Sequence, residues 1–88
     1  MKIKKGYLLR EIAGSYVVVP VGERVIDFKG IMTLNDTGHF IWKCLSDDIS
    51  YSQLLSKILE EYEIDELTTK GDLDEFLTSA RGSGVLEE

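Results

Sequence analysis

The chain has 88 residues, 43% of them hydrophobic and 30% charged, with one Pro, one Cys and a formal net charge of −6. That length supports one domain spanning 1–88, which buries only about 60–65% of the surface its unfolded chain exposes, and the apolar fraction argues against disorder. The longest apolar run, Val17 to Val21, is far short of the roughly 20 residues that cross a bilayer. No apolar signal stretch follows the basic start, and a lone cysteine excludes an internal disulfide, so a cytoplasmic protein without membrane attachment is expected.

Tyr7-Leu8-Leu9-Arg10-Glu11-Ile12 alternates and stops at Ala13-Gly14, which predicts a first strand and a two-residue hairpin turn. Ser15 to Val21 is dense in β-branched residues that favour a pleated surface, with Pro20 removing one ladder donor near its end; it reads as strand two. Gly22-Glu23 turns the chain, and Phe28 to Leu34 returns as strand three, where Gly30 marks a bulge or a close backbone approach. The period then changes. Asn35 or Asp36 caps a first helix to about Ser46, with Phe40, Ile41, Cys44 and Leu45 on one face. Ser50 and Gln53 have capping-box spacing ahead of a second helix whose apolar stripe is Leu54, Leu55, Ile58, Leu59 and Tyr62. A third helix carries Leu73, Phe76, Leu77 and Ala80 at i, i+3, i+4 and i+7; Asp65 caps it, or Thr69 with Asp72 starts it later. Gly82-Ser83-Gly84 stops it and Val85-Leu86 folds back. The expected class is α+β: a three-stranded antiparallel sheet followed by three helices, with the outline of a winged helix-turn-helix.

The residue types that carry chemistry are sparse. His39 and Cys44 are the sole histidine and cysteine, and at i, i+5 they lie about 140° apart on a helix, which suits neither a metal site nor a nucleophile pair. Cys44 reads as a small core residue and His39 as a partly exposed helix residue. Glu60, Glu61, Glu63, Asp72, Asp74 and Glu75 sit between apolar helix positions, where a solvated face explains them. Gly82-Ser83-Gly84 lacks the lysine and the strand-to-helix setting of a phosphate loop. No enzyme signature and no cofactor are expected. A winged helix could read DNA, but the charge is on the wrong side. Up to Cys44 there are seven Lys/Arg against four Asp/Glu, from Leu45 onward three against twelve, and the third helix offers Lys70 and Arg81 against Asp65, Glu66, Asp72, Asp74 and Glu75. Affinity for nucleic acid comes chiefly from cations that neutralise phosphates, so a duplex would be repelled and no nucleic-acid partner is expected.

A three-stranded meander leaves two edges, each a row of unpaired N–H and C=O groups open to another strand. Strand three runs directly into helix one, so a peptide added along it could bury side chains against helix three. At this point the run Ile31-Met32-Thr33-Leu34-Asn35-Asp36-Thr37-Gly38-His39-Phe40-Ile41-Trp42 resembles the strand-to-helix signature of PqqD-like proteins. The stretch Tyr7 to Pro20, Tyr62-Glu63-Ile64-Asp65, Asp72 to Leu77, and Gly84-Val85-Leu86 follow that family's layout as well. The resemblance implies a non-catalytic recognition element for ribosomally made, post-translationally modified peptides. In such domains the precursor's leader segment adds as a strand antiparallel to strand three, in a groove closed by helix three, and is presented to a radical S-adenosylmethionine enzyme or to a lasso-type leader peptidase or cyclase.

Carried over by position, Lys29, Gly30, Ile31, Met32 and Thr33 would supply the edge, and Leu73, Phe76, Leu77 and Ala80 would line the groove. Alternation lets only some strand residues face the peptide's side chains. Leu34, Phe40, Ile41, Trp42, Leu55 and Leu59 read as core, while Phe76 and Leu77 stay open between core and groove. Lys29 is either an edge charge that discourages aggregation or a contact for an acidic leader. A monomer suffices, with a strand-paired or swapped dimer as the alternative. The competing functions are a winged-helix DNA-binding regulator and a structural subunit that docks on a biosynthetic enzyme.

Overall fold

The computed structural model describes residues 1–23 and 32–88. In chain order these form β1 (Lys2–Ile3), β2 (Tyr7–Ile12), β3 (Ser15–Pro20), β4 (Met32–Leu34), α1 (Asp36–Cys44), α2 (Tyr51–Glu61), α3 (Glu66–Ser83) and β5 (Leu86–Glu87). Ala13 and Gly14 have φ of 51° and 80°, the pair of left-handed steps that a tight hairpin turn requires. They fold β2 back on β3 with Ile12 opposite Ser15 and Tyr7 opposite Pro20. β4 pairs antiparallel on the other side of β3, with Val18 opposite Met32 and Tyr16 opposite Leu34. The expected α+β architecture, an antiparallel β2–β3–β4 sheet followed by three helices, is the one observed. Residues 28–31 of the expected third strand lie outside the described residues.

Each helix starts where a side chain satisfies a backbone N–H that the first turn leaves without a partner. Asn35, and not Asp36, caps α1: its Oδ1 accepts from Gly38 N at 2.8 Å. Ser50 and Gln53 form the expected capping box on α2, Gln53 N donating to Ser50 Oγ at 3.1 Å and Ser50 N to Gln53 Oε1 at 3.0 Å. At α3 the earlier of the two expected starts is realised. Asp65 accepts from Thr68 N at 3.0 Å and from Thr68 Oγ1 at 2.8 Å. Thr69 is therefore no cap: it is buried one turn into the helix, with Oγ1 donating to the Asp65 carbonyl at 3.0 Å. The helix also runs through Gly82 and Ser83, and ends at Gly84, whose φ of 77° is the left-handed conformation glycine adopts most easily.

The core lies between the sheet's inner face and the helices. Tyr7, Val18, Met32 and Leu34 point inward from the sheet; Ile41, Trp42 and Leu45 meet them from α1 and its end, Leu54, Leu55 and Ile58 from α2, and Leu73, Leu77 and Ala80 from α3. Phe40 and Leu59, expected as core, are half-buried against it. β1 and β5 form a second, two-stranded sheet that no pattern in the sequence announces. Lys2 stands opposite Glu87 and Ile3 opposite Leu86, while Ile3 N donates to the Leu45 carbonyl at 2.9 Å and Lys4 N to the Val85 carbonyl at 2.8 Å. This clasp buries Val85 and Leu86, and so anchors the end of α3. Among the described residues no helix is long and apolar enough to cross a membrane.

Candidate functional site

β4 lies at the margin of its sheet. β3 occupies one side, and no described strand pairs with the other. In an antiparallel ladder successive residues direct their N–H and C=O groups to alternate sides, so part of the backbone of β4 faces that free side. Side chains alternate likewise: Met32 and Leu34 are buried, and Thr33 between them is exposed.

The free side opens into a groove of about 150 Å³ between β4 and α3. Met32, Thr33 and Leu34 form one wall, Asn35, Thr37, Gly38 and Ile41 its end, and Asp72, Glu75, Phe76 and Ser79 the opposite wall. The four α3 residues fall at i, i+3, i+4 and i+7, one face of the helix. Gly38 makes the junction possible. A Cβ on it would stand 3.2 Å from both Leu34 Cβ and Asn35 Oδ1, so the missing atom lets the first turn of α1 seat against β4 without crowding them.

The residues expected in the site divide into three groups. Met32, Thr33 and Phe76 come together around the groove, Phe76 at 7% exposure with most of its ring in the core. Leu73, Leu77 and Ala80, expected to line it, are 0–1% exposed and lie one helical face away, packed into the core. In so small a domain the strongest apolar stripe of a helix is consumed in covering the sheet, and the groove takes the flank of that stripe. Lys29, Gly30 and Ile31 lie outside the described residues. Asp72 and Glu75, read from the sequence as solvated surface, and Ser79, given no role there, share a face with Phe76, and that shared spacing is the signal that would have found them.

Several polar and aromatic groups outside the groove have structural roles. Tyr51 Oη donates to Asp74 Oδ1 at 2.7 Å, joining α2 to α3 away from the groove; that bond holds the Tyr51 hydroxyl above its usual pKa. His39 stacks on Tyr16 with ring centroids 4.1 Å apart, which ties α1 to β3. Cys44 is half-buried against the core, and loss of solvent pushes its thiol up, so it is a poor nucleophile. A larger open concavity of about 510 Å³ runs beside α2 past Cys44, Ile49, Gln53 and Lys57, but among the described residues no strand lines it to offer a peptide a backbone ladder.

A search of solved structures finds the fold in TbiB1, determined in complex with the TbiA(beta) leader peptide. The TM-score is 0.75 at 24% sequence identity, over 99% of this chain and 95% of that one. Curated protein sequences give no match. The family profile described as coenzyme PQQ synthesis protein D matches residues 10–86, from within β2 to the first residue of β5, a stretch that holds the three helices and the described groove lining. The chain belongs to the PqqD family.

Proposed function

We propose that this domain binds the leader segment of a precursor peptide by strand addition to β4 and presents it, without catalysing a reaction itself, to a modifying enzyme or leader peptidase. The observation that carries this reading is the free side of β4 opening onto the flank of α3. Backbone bonds to an extended visitor would supply affinity, and alternate side chains of that visitor would reach Phe76, Ser79 and the two carboxylates. Membership of the PqqD family supports it, as does a shared fold with a protein that holds a leader peptide. In this reading Met32 and Thr33 supply the edge, continued in sequence by Lys29, Gly30 and Ile31. Phe76, Asp72, Glu75 and Ser79 form the helical wall, and Leu73, Leu77 and Ala80 hold that wall in place from beneath. The described walls of the groove all come from one chain, which favours a monomer. An unpaired, half-buried Cys44 suits the reducing cytosol.

Isothermal titration with synthetic leader peptides from the neighbouring precursor gene tests the reading. The expected result is saturable binding without turnover, lost when Pro replaces a central residue of the bound segment and removes a ladder donor. No measurable affinity for any such peptide would end it.

A further inference from the structure

The charges of α3 sort by partner. Asp65 caps the helix, Lys70 stands 4.0 Å from Glu66 one turn away, Asp74 accepts from Tyr51, and Arg81 holds Glu88 at 2.7 Å. Both cations of the helix are thus engaged with other carboxylates. Asp72 and Glu75 remain, three residues apart, exposed on the groove wall, and with neither an ion pair nor a hydrogen bond among the described residues. Among the described residues nothing else in the groove lining offsets them, because no described Lys or Arg contributes to it.

Their position relative to Phe76 gives this charge a geometric meaning. Asp72 precedes Phe76 by one turn and Glu75 is its neighbour, so an apolar surface and two carboxylates share one helical face. An added strand directs every second side chain toward α3, at intervals of about 6.5–7 Å, close to the roughly 5.4 Å of one helical turn. Two successive inward side chains can therefore meet the ring and the carboxylates together. An acidic residue there would be repelled, and a Lys or Arg would gain its partner as its stem lies along the apolar wall.

Resting on the leader-peptide reading, we propose that Asp72 and Glu75 are specificity-determining residues that select leader strands carrying a Lys or Arg two positions from an apolar residue on the side facing α3. The requirement on the visitor is chemical: an extended segment that pairs an apolar residue with a basic one in place of an acidic one.

The test uses the full chain and the synthetic leader peptide of the neighbouring precursor, with Pro scanning to mark the strand segment. Asp72→Asn with Glu75→Gln, isosteric changes at exposed positions, is expected to weaken binding about tenfold and to flatten its dependence on NaCl, since exposed pairs are screened over about 8–10 Å. Changing the segment's Lys or Arg to Glu should weaken binding to the wild-type chain more than tenfold, and Asp72→Lys with Glu75→Lys should restore it. If the neutral double variant binds as tightly and with the same salt dependence, or if the mapped segment holds no Lys or Arg, the selectivity is refuted. Strand addition then stands, because Pro still abolishes binding. If no leader peptide binds at all, both fall together.

Discussion

Leu34 and Gly38 touch so closely that a methyl group on Gly38 would come within 3.2 Å of Leu34 Cβ, and within the same distance of the capping Asn35 Oδ1. One residue separates the last strand of the sheet from the first turn of α1, and this contact sets the angle at which one leads into the other. Gly to Ala in a helix ordinarily gains about 1 kcal/mol. Here both neighbours must give by a few tenths of an ångström and both are constrained, Leu34 Cβ by strand backbone and Asn35 Oδ1 by its bond from Gly38 N. Gly38→Ala is expected to lose on the order of 1 kcal/mol in urea unfolding. A gain in stability would show that the junction relaxes freely.

Ser79 is exposed on the groove wall, one turn beyond Phe76. An indole there would occupy the space an added strand needs, while leaving the core beneath untouched. Ser79→Trp is expected to weaken leader binding at least tenfold, about 1.4 kcal/mol, and to leave unfolding within about 0.5 kcal/mol of wild type. Calorimetric titration and urea unfolding read the two separately. Unchanged binding would locate the peptide elsewhere.

Leu77 tests the complementary point, since it is 1% exposed and belongs to the core. Truncation leaves a cavity that a rigid helix cannot close. Leu77→Ala is expected to lower stability by about 3 kcal/mol while the folded fraction binds the leader with wild-type affinity. A selective loss of binding, with stability intact, would return Leu77 to the groove.

The difference between Ser79 and Leu77 marks how far the sequence could be read. Caps and turns were legible because their chemistry is local: Ala13-Gly14, Asn35, and Ser50 with Gln53 act within three residues of themselves. The order of strands and helices followed from periodicity. The site was legible only in outline, as an edge facing α3. Periodicity finds the stripe that is most apolar, and in α3 that stripe, Leu73, Leu77 and Ala80, is spent on the core. The flank that faces the groove, Asp72, Glu75 and Ser79, has the composition of ordinary surface, and only the position of β4 gives it meaning. The β1–β5 clasp was illegible for another reason: a two-residue strand carries no period.

Acid should weaken the start of α3 in a way that can be isolated at one residue. Thr68 N and Thr68 Oγ1 both donate to the Asp65 carboxylate, and these bonds, the backbone one foremost, hold Asp65 below its usual pKa. The folded pKa is then lower than the unfolded one, which lies near 4, so the unfolded chain takes up the proton first. The contribution is fully present above the unfolded pKa and disappears as pH falls through the folded one. Asp65→Asn keeps an acceptor at the cap but removes both the titration and the anion that favours a helix N-terminus. Wild type should therefore unfold at the higher temperature near neutral pH, and its lead over Asp65→Asn should shrink as pH falls below the unfolded pKa. Thermal unfolding of both proteins across that range checks the sign: a lead that stays constant, or grows in acid, would mean that the carboxylate is not what holds the first turn of α3.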